Sequence, residues 1–342
     1  MASESISNAR RNNTWMTSSN RASVNGTSTP LAAVTGATGF IGRHLVKALA
    51  QAGWRTRLLL RNVPDEPQWR SLRPQVVAGA LGDESALIRL VDGADVVIHA
   101  AGLIKATRRA HFFAINRDAT AALAHTVKRV APVAHFVHVS SLAAREPLLS
   151  DYAGSKRAGE SAVFDILGPR ATVLRPPAVY GPGDRETLLF FQLARRRTVP
   201  LLGERDAVAA MIHVNDLARL IVTLATASPR GEVLTAADGR PEGYRWDELL
   251  GAAARAVDNE APRLVRAPRG VLSGVALLGD LARILGSASM LSSQKLREIR
   301  HPDWSVSPSE LARPPGWLPQ FDLESGFSDA VAWYRSVGWL PA

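Results

Sequence analysis

The run Val34-Thr35-Gly36-Ala37-Thr38-Gly39-Phe40-Ile41-Gly42 constrains the fold of this chain more than any other segment. A short apolar stretch, Leu31-Ala32-Ala33-Val34, leads into it and predicts a strand. Behind it Ile41, Leu45 and Leu49 recur at helical spacing, with Arg43 and Lys47 off that stripe and Gly53 closing it. Glycines at 36, 39 and 42 permit a tight turn, close approach of backbone to ligand, and close packing of helix on strand. The helix N-terminus then offers free N–H groups and the positive end of its dipole, which suits a pyrophosphate. Gly36, Thr38, Gly39, Phe40, Ile41 and Gly42 are therefore the candidate dinucleotide loop.

The same alternation continues. Arg55 to Arg61, Val76-Val77, Asp95 to His99, His135 to Val139 and Ala171 to Leu174 read as short strands. Helical stretches separate them, notably Asn116 to Val130 and Tyr152 to Leu167. Strands alternating with helices predict an α/β fold with a doubly wound parallel sheet. We place this Rossmann domain at 30–182, with a helix at 213–226 packing back on it. Past Pro182 the alternation weakens, and Val214–Ala225, Tyr244–Val257 and Phe327–Tyr334 predict helices of a smaller C-terminal substrate-binding cap over 183–342. Residues 1–29, rich in Ser, Asn and Thr with arginines and one acid, predict a disordered leader. A cytoplasmic location is expected, or an organelle matrix if that leader is a transit peptide.

Composition excludes several classes. There is no cysteine, hence no disulfide framework, thiol nucleophile or Cys-based zinc site. Eight histidines stand without a His-Glu-x-x-His, and no metal site is expected. No apolar run approaches the ~18 residues of a membrane span. The net charge of +10 comes in scattered doublets and triplets such as Arg195-Arg196-Arg197. No nucleic-acid motif accompanies it, so a nucleic-acid partner is not expected.

An NAD-specific site places Asp or Glu about 20 residues past the glycine loop to hold the ribose 2′-hydroxyl. This chain has Arg61 followed by Asn62. Arg61 and Arg43 together fit a 2′-phosphate by charge-assisted hydrogen bonds. NADP(H) is expected over NAD(H), which stays possible.

Tyr152-Ala153-Gly154-Ser155-Lys156 sets a phenol and an ammonium four apart, hence on one helix face. With four tyrosines and five lysines, chance would place roughly 0.06 such pairs in the chain. A nearby Lys⁺ favours the phenolate and an oxidised nicotinamide adds to it, making a general acid/base from a group with a free pKa of about 10. Ser141 ends a strand eleven residues earlier, where open α/β sheets bind ligands. Ser141, Tyr152 and Lys156 are the catalytic candidates.

With these residues the chain resembles the extended short-chain dehydrogenase/reductase superfamily, of epimerase/dehydratase type. It looks nearest to the hydroxysteroid dehydrogenase and dihydroflavonol reductase group. The resemblance spans about Leu31 to Ala342. It includes Gly82-Asp83, His99-Ala100-Ala101-Gly102, Asn116, Arg175-Pro176-Pro177-Ala178-Val179-Tyr180-Gly181-Pro182-Gly183 and His213-Val214-Asn215-Asp216. It implies Asp83 at the adenine, and Ala100, Ala101, Gly102, Pro176 and Val179 along the cofactor. Tyr152 and Lys156 would also meet the nicotinamide ribose, with Lys156 lowering the tyrosine pKa. Asn116 would support the helix, and Asp216 would be structural. A homodimer through helices 116–130 and 152–167 follows from the same likeness.

The resemblance covers several activities. The leading expectation is hydride transfer between nicotinamide and a ketone or secondary alcohol of an apolar or polycyclic small molecule. Ala178, where many sugar-nucleotide enzymes carry Asn, and the short Ser141–Tyr152 interval favour it. The apolar stretch Val271–Leu285 offers a pocket wall. Alternatives are a nucleotide-sugar epimerase or dehydratase, and a non-catalytic NADPH-binding accessory protein. Substrate choice is expected from 103–112, 142–151, 184–212 and 262–300.

Overall fold

A computed structural model describes residues 29–62, 71–201, 203–204, 206–259, 262–266 and 293–341. The leader at 1–28 and the Val271–Leu285 wall lie outside the described residues.

The strands are β1 (Leu31–Thr35), β2 (Arg55–Leu60), β3 (Gln75–Ala78), β4 (Val96–His99), β5 (His135–Val139), β6 (Ala171–Arg175), β7 (Ala178–Tyr180), β8 (Thr198–Leu201), β9 (Val208–Ala209), β10 (Met211–His213), β11 (Glu232–Thr235), β12 (Tyr244–Arg245), β13 (Arg263–Arg266) and β14 (Asp303–Trp304). The α-helices are α1 (Phe40–Gln51), α2 (Glu84–Val91), α3 (Arg109–Phe113), α4 (Thr120–Val130), α5 (Asp151–Leu167), α6 (Leu188–Ala194), α7 (Val214–Thr226), α8 (Trp246–Ala256), α9 (Ser293–Ile299) and α10 (Leu323–Ser336).

Seven strands form one sheet in the order β11-β6-β5-β4-β1-β2-β3, every pair parallel. β1, β4, β5 and β6 are buried along their whole length, which is why they read as short apolar runs without alternation. Two apolar layers cover the faces. Leu45, Val46 and Leu49 of α1 join Leu217, Leu220 and Ile221 of α7 on one side. Leu87 and Leu90 of α2, Leu123 and Val127 of α4 and Val163 of α5 pack on the other. The fold is a doubly wound Rossmann-like α/β sheet. The strand order reverses at β1 and β4, so a crevice opens beyond Thr35 and His99, which face each other in register.

Helix α7 and strand β11 both lie beyond residue 182 in sequence yet belong to this sheet layer. Helices α6, α8 and α10 build a separate apolar cluster around Phe191, Leu249, Phe327 and Tyr334. Phe191 and Phe327 meet edge to face at 5.0 Å. This cluster, the pairs β13-β8 and β10-β7, and the sheet β12-β9-β14 stand over the carboxyl ends of the large sheet.

Some boundaries differ from the sequence expectation. The helix expected from Asn116 begins earlier, at Arg109, and passes through a π-helical turn at Ala114–Ala119 before α4. The stretch expected as a helix from Tyr244 opens with strand β12, because Tyr244 pairs with Ala209 before Trp246 starts α8. The closing helix runs from Leu323 to Ser336, capped by Asp322, whose carboxylate accepts the Ser325 N–H at 2.8 Å.

Candidate active site

The glycine loop connects β1 to α1 as the spacing predicted. Gly36 takes φ +75°, and a Cβ there would lie 2.5 Å from the Ala101 nitrogen. A Cβ on Gly42 would lie 2.0 Å from the Gly36 carbonyl oxygen. The loop is thus a cradle that side chains would fill. No side chain caps α1 at Gly39, so its first N–H groups face the crevice. Donor set, dipole and cleared space fit a dinucleotide pyrophosphate.

One cavity of about 1670 Å³ runs from this loop across the crevice. Gly36, Thr38, Gly39, Phe40, Ile41, Gly42, Arg43, Ala100, Gly102, Ser141, Tyr152, Pro176 and Val179 all line it. Among the sequence candidates, Arg61, Asn62, Asp83, Ala101 and Lys156 do not. Arg61 and Asn62 lie exposed just past the end of β2. Asp83 caps α2, its Oδ1 accepting from the Ala86 N–H at 3.1 Å and the Ser85 hydroxyl at 2.8 Å. Arg43 donates from Nε to the Thr38 carbonyl at 3.0 Å, which braces the loop from outside.

Ser141 lies two residues past the end of β5 and caps the short turn Leu142–Arg145, accepting the Ala143 N–H at 3.2 Å. It lines the same cavity as Tyr152. Tyr152 lies in the first turn of α5, whose N-cap is Ser150. Burial pushes the Tyr152 phenol up to about 12, the Ser141 hydroxyl pulls it down, and the Glu298 charge raises it further. The sequence expectation joined Lys156 with an oxidised nicotinamide to favour the phenolate; among the protein's own groups desolvation outweighs what lowers this pKa.

Lys156 sits one turn deeper, only 4% exposed. Its Nζ donates to the Val139 carbonyl at 2.9 Å. Burial pushes it down to about 8, against the Glu160 charge that holds it up. Glu160 comes one turn later on the same face. Its Oε1 accepts from Arg175 Nε at 2.9 Å and from the Ser140 hydroxyl at 2.5 Å, and its Oε2 from Arg175 Nη2 at 2.5 Å. The inward stripe of α5 is thus charged where a structural helix would be apolar.

Asn116 lies on the π-helical turn and serves as scaffold. It donates to the Leu103 carbonyl and to the Ser155 hydroxyl, each at 2.9 Å, and accepts the Leu103 N–H at 2.7 Å. Asp216 accepts from the N–H groups of Gln320 and Phe321, each at 3.0 Å, so it ties α7 to the segment before α10. Lys105 and Arg109 pair with the protein's own acids, Glu186 at 2.6 Å and Asp151 at 3.0 Å.

Sequence reasoning missed the cap side of the cavity. Gln294, Lys295, Glu298 and Ile299 of α9, Trp304 and Trp246 all line it. The segment 262–300 was expected to hold substrate-selecting residues, but spacing alone singles out none of them. Glu298 meets Ser150, two residues before Tyr152, only through tertiary packing, and no local pattern announces that contact.

The profile of the NAD dependent epimerase/dehydratase family matches residues 32–237. A Caulobacter vibrioides protein named ceramide reductase is 48% identical over 311 residues, covering 90% of this chain and 96% of its own. A Dictyostelium discoideum protein named NADH dehydrogenase (ubiquinone) 1 alpha subcomplex subunit 9, mitochondrial, is 30% identical over 232 residues, 64% of this chain and 62% of that one. The crystal structure of gox2253 shares the fold at a TM-score of 0.72 and 20% identity, covering 91% of this chain and 99% of that chain. Among the described residues no helix is long and apolar enough to cross a membrane. With the glycine cradle at the sheet's reversal point and the family match across it, this chain belongs to the NAD dependent epimerase/dehydratase family and is an NAD(P)-dependent oxidoreductase.

Proposed function

We propose that this protein is an NADP(H)-dependent ketoreductase that acts on a ketone-bearing, ceramide-type lipid, with Ser141, Tyr152 and Lys156 as its catalytic residues. The cavity carries the reading. It continues past Tyr152 into a chamber walled by Phe190, Leu193, Trp246, Leu249 and Trp304, a lining suited to a long apolar chain. Its volume exceeds the ~300–1,000 Å³ of ordinary small-molecule sites, so cofactor and lipid have room together. The ceramide reductase relative, matched over nearly its whole length, supplies the substrate class.

The nicotinamide supplies the hydride. Gly36 to Gly42, Ala100 and Gly102 would hold the dinucleotide, with Lys156 at its ribose. Ser141 would donate a hydrogen bond to the substrate carbonyl oxygen and align it with Tyr152. Tyr152 would then give its phenolic proton to that oxygen as the hydride arrives at carbon, leaving a secondary alcohol. A phenol pushed up to about 12 is protonated at neutral pH, the state that a reducing acid requires. Arg61, exposed just past the end of β2 where NAD-specific sites carry an acid, favours the 2′-phosphate of NADP(H). Residues 30–182 together with α7 and β11 would form the cofactor unit, and the rest of 183–342 the cap. A homodimer would pair the outer faces of α4 and α5, where Ala122, Ala158 and Ala162 allow close approach.

The test is NADPH oxidation by the purified protein with a ketone-bearing ceramide, with a nucleotide-sugar in parallel. Turnover on the lipid that is lost in Tyr152→Phe is expected. Conversion of the nucleotide-sugar without net NADPH oxidation would replace this reading by an epimerase or dehydratase. NADPH binding without turnover of either would refute the ketoreductase.

A further inference from the structure

Three consecutive residues at the entry to the Tyr152 helix are held by one short helix of the cap. The Leu149 carbonyl accepts from Arg297 Nε at 2.9 Å. Ser150 gives its hydroxyl proton to Glu298 Oε1, while its oxygen caps α5 by accepting the Ala153 N–H at 3.0 Å. Gln294 Oε1 accepts the Asp151 N–H at 3.0 Å, and Gln294 Nε2 donates to Asp151 Oδ2 at 2.8 Å. Tyr152 is the next residue.

Glu298 is the centre of this clamp. It is 7% exposed, and it lines the cavity together with Tyr152. A carboxylate this buried is costly unless it is paired and hydrogen-bonded. Lys295 Nζ, one turn earlier, donates to Oε2 at 3.0 Å. The backbone carbonyl of Glu298 accepts from Trp304 Nε1 at 2.9 Å and from the His301 N–H at 3.2 Å, which fixes the end of α9. Nothing in the glycine loop or the Tyr-x-x-x-Lys pattern calls for a carboxylate here.

We propose that Glu298 is a positioning residue for the proton transfer: through Ser150 it locks the start of the Tyr152 helix to the cap. The proposal rests on the reading of Tyr152 as the acid and extends it to the cap. The charged and titratable groups around Tyr152 can be named. Asp151 and Lys156 share its helix, with Glu160 a turn below. Arg109 of α3 is paired to Asp151, and Lys295 and Glu298 face it from α9, with His301 beyond. Of these, Glu298 is the one whose charge raises Tyr152. A cap clamped through this carboxylate therefore holds the first turn of α5, and with it Tyr152, in place.

The experiment is the separate measurement of kcat and of KM for NADPH in reduction of a ketone-bearing ceramide. Glu298→Gln keeps an acceptor for Ser150 and is expected to keep kcat near wild type. Glu298→Ala loses the Ser150 bond and lowers kcat several-fold with KM for NADPH unchanged. A wild-type kcat in Glu298→Ala, with a wild-type unfolding midpoint, overturns the proposal. Should that variant not fold, a wild-type kcat in Ser150→Ala, which removes the same bond, overturns it instead. Tyr152→Phe is measured alongside. If it retains turnover, the acid assignment is wrong and this proposal falls with it. If it is dead while Glu298→Ala turns over like wild type, only the role of Glu298 falls.

Discussion

Glu160→Gln tests whether the charged underside of α5 is a structural necessity. Glu160 is 2% exposed and Arg175 6%. The carboxylate takes two hydrogen bonds from that guanidinium and one from Ser140. Neutralising it leaves the Arg175 cation between α5 and β6 opposed by the charge of Glu310 without the paired Glu160 carboxylate. Breaking a buried pair by removing one partner costs about 3–5 kcal/mol. The amide still accepts some of these bonds, so the low end, about 3 kcal/mol, is expected. For a chain of this size that lowers Tm by about 4 °C. Urea unfolding followed by far-UV circular dichroism measures it, read as a lower midpoint at unchanged slope. The paired replacement Glu160→Leu with Arg175→Leu should be less destabilised than Glu160→Leu alone, because Lys156 is then the one cation left without the Glu160 charge rather than one of two. A loss under about 1 kcal/mol in Glu160→Gln, or singles and double that add independently, would refute the reasoning.

Other outcomes follow from the same geometry. Arg61→Asp should reverse the NADPH-over-NADH affinity ratio by at least tenfold, measured by fluorescence titration with each cofactor, and an unchanged ratio would remove Arg61 from the 2′-phosphate site. Lys156→Met should abolish turnover yet unfold at or above the wild-type midpoint at pH 7. Burial holds the folded Lys156 pKa at about 8, below its unfolded value. The destabilisation is therefore full below pH 8 and fades as pH rises from about 8 toward about 10.5. Thermal melts of both proteins across that window should converge with increasing pH, and parallel curves would contradict the assignment.

Much of this protein was legible along the chain, and for a local reason. Strands buried on both faces must be short apolar runs, and a position where a Cβ would fall 2.0 Å from a backbone carbonyl oxygen must be glycine, as at Gly42. Tyr152 and Lys156 share a helix face by spacing alone. Six of the seven sheet strands were read along the chain; β11 was not, because it returns to pair with β6 only after the chain has built part of the cap.

The rest depends on contacts between residues far apart in sequence. Spacing put an ammonium near Tyr152 and, with an oxidised nicotinamide, predicted an easily ionised phenol. The protein's own folded surroundings instead raise it, because desolvation outweighs the Ser141 hydroxyl. That Glu160 meets Arg175, and that Glu298 meets Ser150, is settled by how α5 lies on β6 and under α9. No periodicity within either helix encodes such a meeting. Sequence by itself determined six strands of the sheet, the glycine cradle and the pairing of tyrosine with lysine, since each is written in neighbouring residues. Only the tertiary structure decided the charge environment of that pair and the cap side of the cavity. Electrostatics depends on distance and burial in space, and neither is a property of position along the chain.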